Sequence, residues 1–96
     1  MCGITGWANI DSHTPPPDGA RELLRAMCER MLHRGPDSEG TFVSSGVALG
    51  MRRLAIIDLI TGEQPVFNED RSVAVILNGE IYNYRELRSD LEKRGH

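Results

Sequence analysis

The second residue of the chain is a cysteine, followed by Gly3-Ile4-Thr5-Gly6. Removal of Met1 would place a thiol and a free α-amino group on one residue. A free α-amine titrates at about 7.7–8.0 and a cysteine thiol at about 8.5. One residue then holds a nucleophile and a base matched to neutral pH, as general-base-assisted covalent catalysis requires. The same residue can equally serve as a small buried hydrophobe at the start of a strand. Position alone does not choose between the two, so the other segments must.

Three of them carry side chains suited to binding. They are His33-Arg34-Gly35-Pro36-Asp37, then Arg52-Arg53-Leu54-Ala55-Ile56-Ile57-Asp58, then Asn78-Gly79-Glu80-Ile81-Tyr82-Asn83. Each is weak alone. A basic pair ahead of a strand is ordinarily a solvated charge, and Asn-Gly after a strand is ordinarily a turn. Strand alternation puts Arg52 and Arg53 on opposite faces, so only one of them can enter a pocket.

The elements that must position these residues follow from periodicity. Residues 2–10 read as a strand weakened by two glycines, which often mark close backbone approach. Asp11 to Pro17 is a polar, proline-rich loop. Asp18 can cap a helix running to about Leu32, with Ala20, Leu23, Leu24, Met27 and Met31 on one face. Gly35 and Pro36 stop it. Thr41-Phe42-Val43 and Val47-Ala48-Leu49 flank Ser44-Ser45-Gly46, a hairpin signal. Leu54 to Ile57 is strongly apolar. Gln64 to Asn68 and Ser72 to Leu77 flank the turn Glu69-Asp70-Arg71. The run Val73 to Leu77 predicts a strand covered on both faces. Asn83 to Arg94 predicts a second helix, with Leu87 and Leu91 one turn apart. Two-sided burial of a central strand implies an α/β (α+β) sandwich.

Composition narrows the classes. Ninety-six residues allow one domain at most. A net charge of −3 gives no electrostatic footprint for nucleic acid. No apolar run approaches a membrane span, and the N-terminus is not a signal peptide. Cys2 and Cys28 have no metal-ligand spacing and form no disulfide framework, which predicts no metal site and a reducing, cytoplasmic location. Cys28 lies among helix formers and reads as a packed thiol.

Taken in order, the four segments resemble the N-terminal part of class II glutamine amidotransferase domains, which are N-terminal-nucleophile hydrolases. His-Arg-Gly-Pro-Asp followed by Asn-Gly-Glu-Ile-Tyr-Asn favours the glutamine-hydrolysing asparagine synthetase branch. The resemblance spans nearly the whole chain. It implies a four-layer αββα sandwich, of which residues 1–96 supply about the first half.

The resemblance also implies roles. Cys2 attacks the side-chain amide of L-glutamine, and its own amine relays protons after Met1 is removed. Asn78 and the N–H of Gly79 stabilise the oxyanion. The family's arginine directly precedes Leu-x-Ile-x-Asp, which selects Arg53 for the substrate α-carboxylate. Glu80 helps neutralise the α-ammonium. Arg34 and Gly35 shape the pocket, and Arg34 orders the loop near Cys2. His33 is not needed as a base, because the terminal amine supplies one. The expected product is ammonia for ATP-dependent amidation of aspartate in a C-terminal synthetase domain beyond this chain, where ATP and Mg would act. No cofactor is expected within residues 1–96, and the full-length protein is expected to be a homodimer. Two alternatives stay open: an amidotransferase with another carboxylate acceptor, as in polysaccharide biosynthesis, and an inactive, non-enzymatic fragment.

Overall fold

A computed structural model of the chain describes residues 1–56 and 60–96. Ile57 and Asp58, which end the third segment above, lie outside the described residues. The elements run β1 (Gly3–Ala8), α1 (Ala20–Glu29), β2 (Ser38–Ser44), β3 (Val47–Arg53), β4 (Val66–Phe67), β5 (Ala74–Val75) and α2 (Tyr84–Lys93). The fold is mixed helix and strand.

β1, β3 and β2 form an antiparallel sheet with β3 in the centre. The β2–β3 hairpin pairs from Ser38 opposite Arg53 to Ser44 opposite Val47, longer than the two three-residue runs suggested. Gly46 at the turn takes φ 76°, which a glycine adopts without strain. On the other side of β3, Gly3 opposes Arg52 and Ala8 opposes Val47.

α1 packs on one face of this sheet and touches all three strands. Leu24 and Cys28 are fully buried where the helix meets Gly50 of β3, with Ala20 at the start of the helix, and Ala48 and Met51 of β3 are buried as well. Gly50 allows this close approach. A Cβ there would sit 2.7 Å from Cys28 Sγ and 3.0 Å from Leu24 Cδ1. The helix differs from expectation at both ends. Gly19, not Asp18, is its N-cap, and no side chain caps it. Its regular part stops at Glu29. Met31 and Leu32 then bond to Cys28 O and Glu29 O, the tighter i→i+3 pattern that satisfies terminal carbonyls before a turn.

The strand expected over Val73–Leu77 is corrected. Only Ala74–Val75 is extended and paired, in a separate two-stranded sheet with β4. Val73, Val75 and Leu77 are exposed, so the run is not covered on both faces. The reason is local. At the next bonding position of the β4–β5 register Leu77 meets the side chain of Gln64 and not its main chain, so the backbone ladder ends there. α2 forms as the periodicity predicts, but Leu87 and Leu91 stay exposed, and among the described residues it packs on no other helix or strand.

Candidate active site

Antiparallel pairing places Cys2. Beyond the Gly3–Arg52 pair, the next opposed residues are Cys2 and Arg53. The thiol lies over the turn that leaves β3. Leu54 N–H donates to Cys2 Sγ at 3.3 Å, and Sγ lies 3.8 Å from Leu54 O. The carbonyl of Cys2 is held as well. It accepts from Asn78 Nδ2 at 3.1 Å and from Arg34 Nε at 3.3 Å. Two distant segments therefore fix one residue.

Cys2, Arg53, Asn78, Gly79 and Glu80 line one cleft of about 350 Å³. That volume lies within the usual range for small-molecule sites. Met1, Leu54, Ile56, Gly62, Gln64 and Leu77 complete its wall. A Cβ on Gly79 would meet only Leu77, at an ordinary 3.5 Å, so packing does not demand glycine there.

Arg34 and Gly35 do not line the cleft. They belong to the loop behind it, and that loop is laced to β3. Arg52 Nε donates to Gly35 O at 2.7 Å, and Arg52 Nη2 to Pro36 O at 3.3 Å. Its Nη1 pairs with Glu39 at 3.3 Å. Asp37 N–H donates to Arg53 O at 3.0 Å, and Asp37 Oδ2 accepts from Ala55 N–H at 2.7 Å. Gly35 rests so close to β3 that a Cβ would run into the Arg52 backbone.

Neither arginine is a solvated charge. Arg52 and Arg53 are both buried, at 9% and 8% exposure. Alternation sends Arg52 to the loop and leaves Arg53 in the cleft wall. His33 is exposed and stays out of the cleft. Cys28 lies in the core beneath α1, where burial pushes its thiol up and the Glu39 carboxylate adds to the effect.

The sequence reading missed two contributors. Leu54 acts through its backbone N–H, which any residue type supplies. Gln64 lines the cleft beside Leu77, whereas the sequence pattern marks it only as part of a strand.

Residues 1–96 match a family model described as a glutamine amidotransferase domain. The chain belongs to that family. It is 46% identical over its whole length to asparagine synthetase [glutamine-hydrolyzing] 1 of Bacillus subtilis, and covers 15% of that protein. It is 42% identical over 95% of its length to asparagine synthetase [glutamine-hydrolyzing] 2 of the same organism, covering 12% of it. A similar enzyme of Lotus japonicus is 42% identical over 95% of the chain, which covers 15% of it. The chain thus spans under a fifth of the length of these relatives. No helix among the described residues is long and apolar enough to cross a membrane.

Proposed function

We propose that these residues are the glutaminase portion of a longer glutamine-hydrolysing asparagine synthetase. The observation that carries this reading is the convergence of Cys2, Arg53, Asn78, Gly79 and Glu80 on one cleft. These residues come from three separate segments of a chain that belongs to the amidotransferase family.

The proposed chemistry rests on these positions. Cys2 Sγ attacks Cδ of the glutamine side chain, and the amide oxygen takes up the negative charge. A carboxamide has two donor hydrogens. Asn78 Nδ2 uses one on Cys2 O, which leaves the other for that oxyanion. The N–H of Gly79 is the second donor. Each such donor is worth about 10²–10³ in rate. Collapse of the intermediate breaks the C–N bond, and the nitrogen leaves as ammonia after taking a proton. Water then cleaves the thioester to glutamate and restores the thiol. With Met1 gone, the Cys2 amine serves as the proton relay.

Arg53 binds the α-carboxylate with its forked guanidinium, and Glu80 faces the α-ammonium. The Leu54 N–H aims Sγ into the cleft. Among the described residues no three His, Cys, Asp or Glu side chains gather where they could hold a metal ion. ATP and Mg would act in the synthetase portion, outside these residues. The four-layer sandwich is part of the same proposal. Exposed Ile4 on the open face of the main sheet and the unpacked face of α2 are surfaces that such layers would cover.

The test is Cys2→Ala in the parent protein that carries this chain. Glutamine-dependent synthesis should be lost while synthesis from free ammonia is kept, because the thiol only supplies ammonia to another site. Loss of both activities together would make Cys2 a structural residue and sink the proposal.

A further inference from the structure

The route from β4 to the oxyanion donors runs through a side chain. Val66 opposes Val75 and Phe67 opposes Ala74. The same register, two steps beyond Val66, opposes Gln64 to Leu77. Hydrogen-bonded pairs recur at every second residue of an antiparallel ladder. Asn68 N–H donates to Val73 O at 3.3 Å, so Asn68–Val73, Val66–Val75 and Gln64–Leu77 share the bonding phase.

At Leu77 a carboxamide takes over the ladder. Leu77 N–H donates to Gln64 Oε1 at 2.6 Å, and Gln64 Nε2 donates to Leu77 O at 3.0 Å. A carboxamide offers the same donor and acceptor as a peptide group. It therefore stands in for a main-chain partner on the far side of Pro65. Isosteric Glu would lack the donor and set a charge against a carbonyl. Isosteric Met would lack both bonds.

The residues directly after Leu77 are Asn78 and Gly79, and Gln64 lines the same cleft as they do. We infer that Gln64 is a positioning residue for the oxyanion donors: by clamping both polar groups of Leu77 it sets where Asn78 Nδ2 and Gly79 N–H point. This inference rests on the glutaminase reading above. Gln64 acts on the donors through Leu77 and leaves the nucleophile untouched. Its loss should therefore slow the chemical step without weakening substrate binding or the thiol.

The experiment uses Gln64→Met and Gln64→Glu in the parent protein. Four quantities are measured: kcat and KM for glutamine hydrolysis, the rate of Cys2 alkylation by iodoacetamide, and amide hydrogen exchange at Leu77 to Gly79. Both variants should lower kcat by about 10- to 100-fold, since small misplacements of preorganised donors cost that much. KM and the alkylation rate should stay within about twofold of wild type, a small difference in binding terms. Exchange at Leu77 should quicken. Wild-type kcat in Gln64→Met overturns the inference. So does a parallel loss of kcat, substrate affinity and thiol reactivity, which marks a general structural role. Unchanged exchange at Leu77 to Gly79 overturns this role alone. A wild-type protein that hydrolyses no glutamine overturns the glutaminase reading, and with it this role.

Discussion

Asn78 and Cys2, 76 positions apart in sequence, are joined by a single hydrogen bond of 3.1 Å from the asparagine carboxamide to the cysteine carbonyl. The bond orients both partners of the proposed chemistry. It holds the nucleophile's backbone, and it fixes the plane of an amide whose residue lines the cleft. Asn78→Ala should therefore lose more than a solvent-facing hydrogen bond. The expected outcome is a fall in glutaminase kcat of about 10²–10³, with ammonia-dependent synthesis unchanged. Steady-state kinetics on both nitrogen sources check it.

Met1 shares the cleft with Cys2. While it is attached, the nitrogen of Cys2 is an amide that accepts no proton near neutral pH. Active protein should therefore begin at Cys2. Intact-mass measurement on active parent protein decides this, and full glutaminase activity with Met1 retained would refute the base assignment.

The two thiols should differ in reactivity. Cys2 is half-buried at a cleft, whereas Cys28 is fully buried with its thiol pushed up by burial. Iodoacetamide near pH 8 should label Cys2 and spare Cys28 until the protein is unfolded. The sign of the linked stability effect follows. The unfolded thiol loses its proton in the ordinary range of about 8.5, while the folded one keeps it to higher pH. The unfolded state then binds fewer protons, so stability falls as pH rises from the ordinary thiol range toward the folded value. Below that range the contribution is fully present. Cys28→Ala should remove this component of the alkaline slope, as read by denaturant unfolding at stepped pH.

Gly35 is pressed against the Arg52 backbone while Arg52 bonds to its carbonyl. Gly35→Ala must push the loop off β3 or distort the strand. Overpacking of this kind costs about 1–3 kcal/mol. The displaced loop carries Arg34, which holds Cys2 O, so glutaminase activity should fall along with stability. Thermal unfolding together with an ammonia-release assay would show whether the two losses track.

The legible parts of the site were those where residue type limits chemistry. Cys2 stands out by its position, alternation separates Arg53 from Arg52, and it is the order of the four segments, through the family they resemble, that singles out Asn78-Gly79, Glu80 and Arg53. Their meeting in one cleft is a matter of register between β1 and β3, and of the path after β5. The Leu54 N–H carried no signal, because a backbone donor exists at nearly every position. Gln64 left a faint one, a carboxamide just before a proline at the start of a strand. Val73–Leu77 misled for a physical reason. An apolar run reports that side chains favour burial, but burial also needs something to cover them, and periodicity is silent on that. The end of α1 was misplaced because apolar spacing persists through Met31, while the chain already tightens toward Gly35.

The last prediction concerns residues 2–96 as an isolated chain. Among the described residues the buried apolar side chains are Ala20, Leu24, Cys28, Ala48 and Met51. That is a small core, and short chains with little buried surface are marginal because ordering the backbone opposes folding throughout. Outside it, Val73, Val75 and Leu77 around β5 are exposed, and so are Ile81, Leu87 and Leu91 around and within α2. β4 and β5 share two ladder pairs and touch the main sheet through Phe67 on Phe42, and so short a pair of strands is marginal in water. Asn78, Gly79 and Glu80 follow directly from that weak sheet, so the half of the cleft that carries the oxyanion donors is the part least secured. The isolated chain should therefore self-associate through its apolar faces or stay partly unfolded, and should release no ammonia from glutamine. Light scattering, denaturant titration and an ammonia assay on purified residues 2–96 test this together. A monomer that unfolds cooperatively and hydrolyses glutamine would show that these faces need no cover and that the donors hold their place without it.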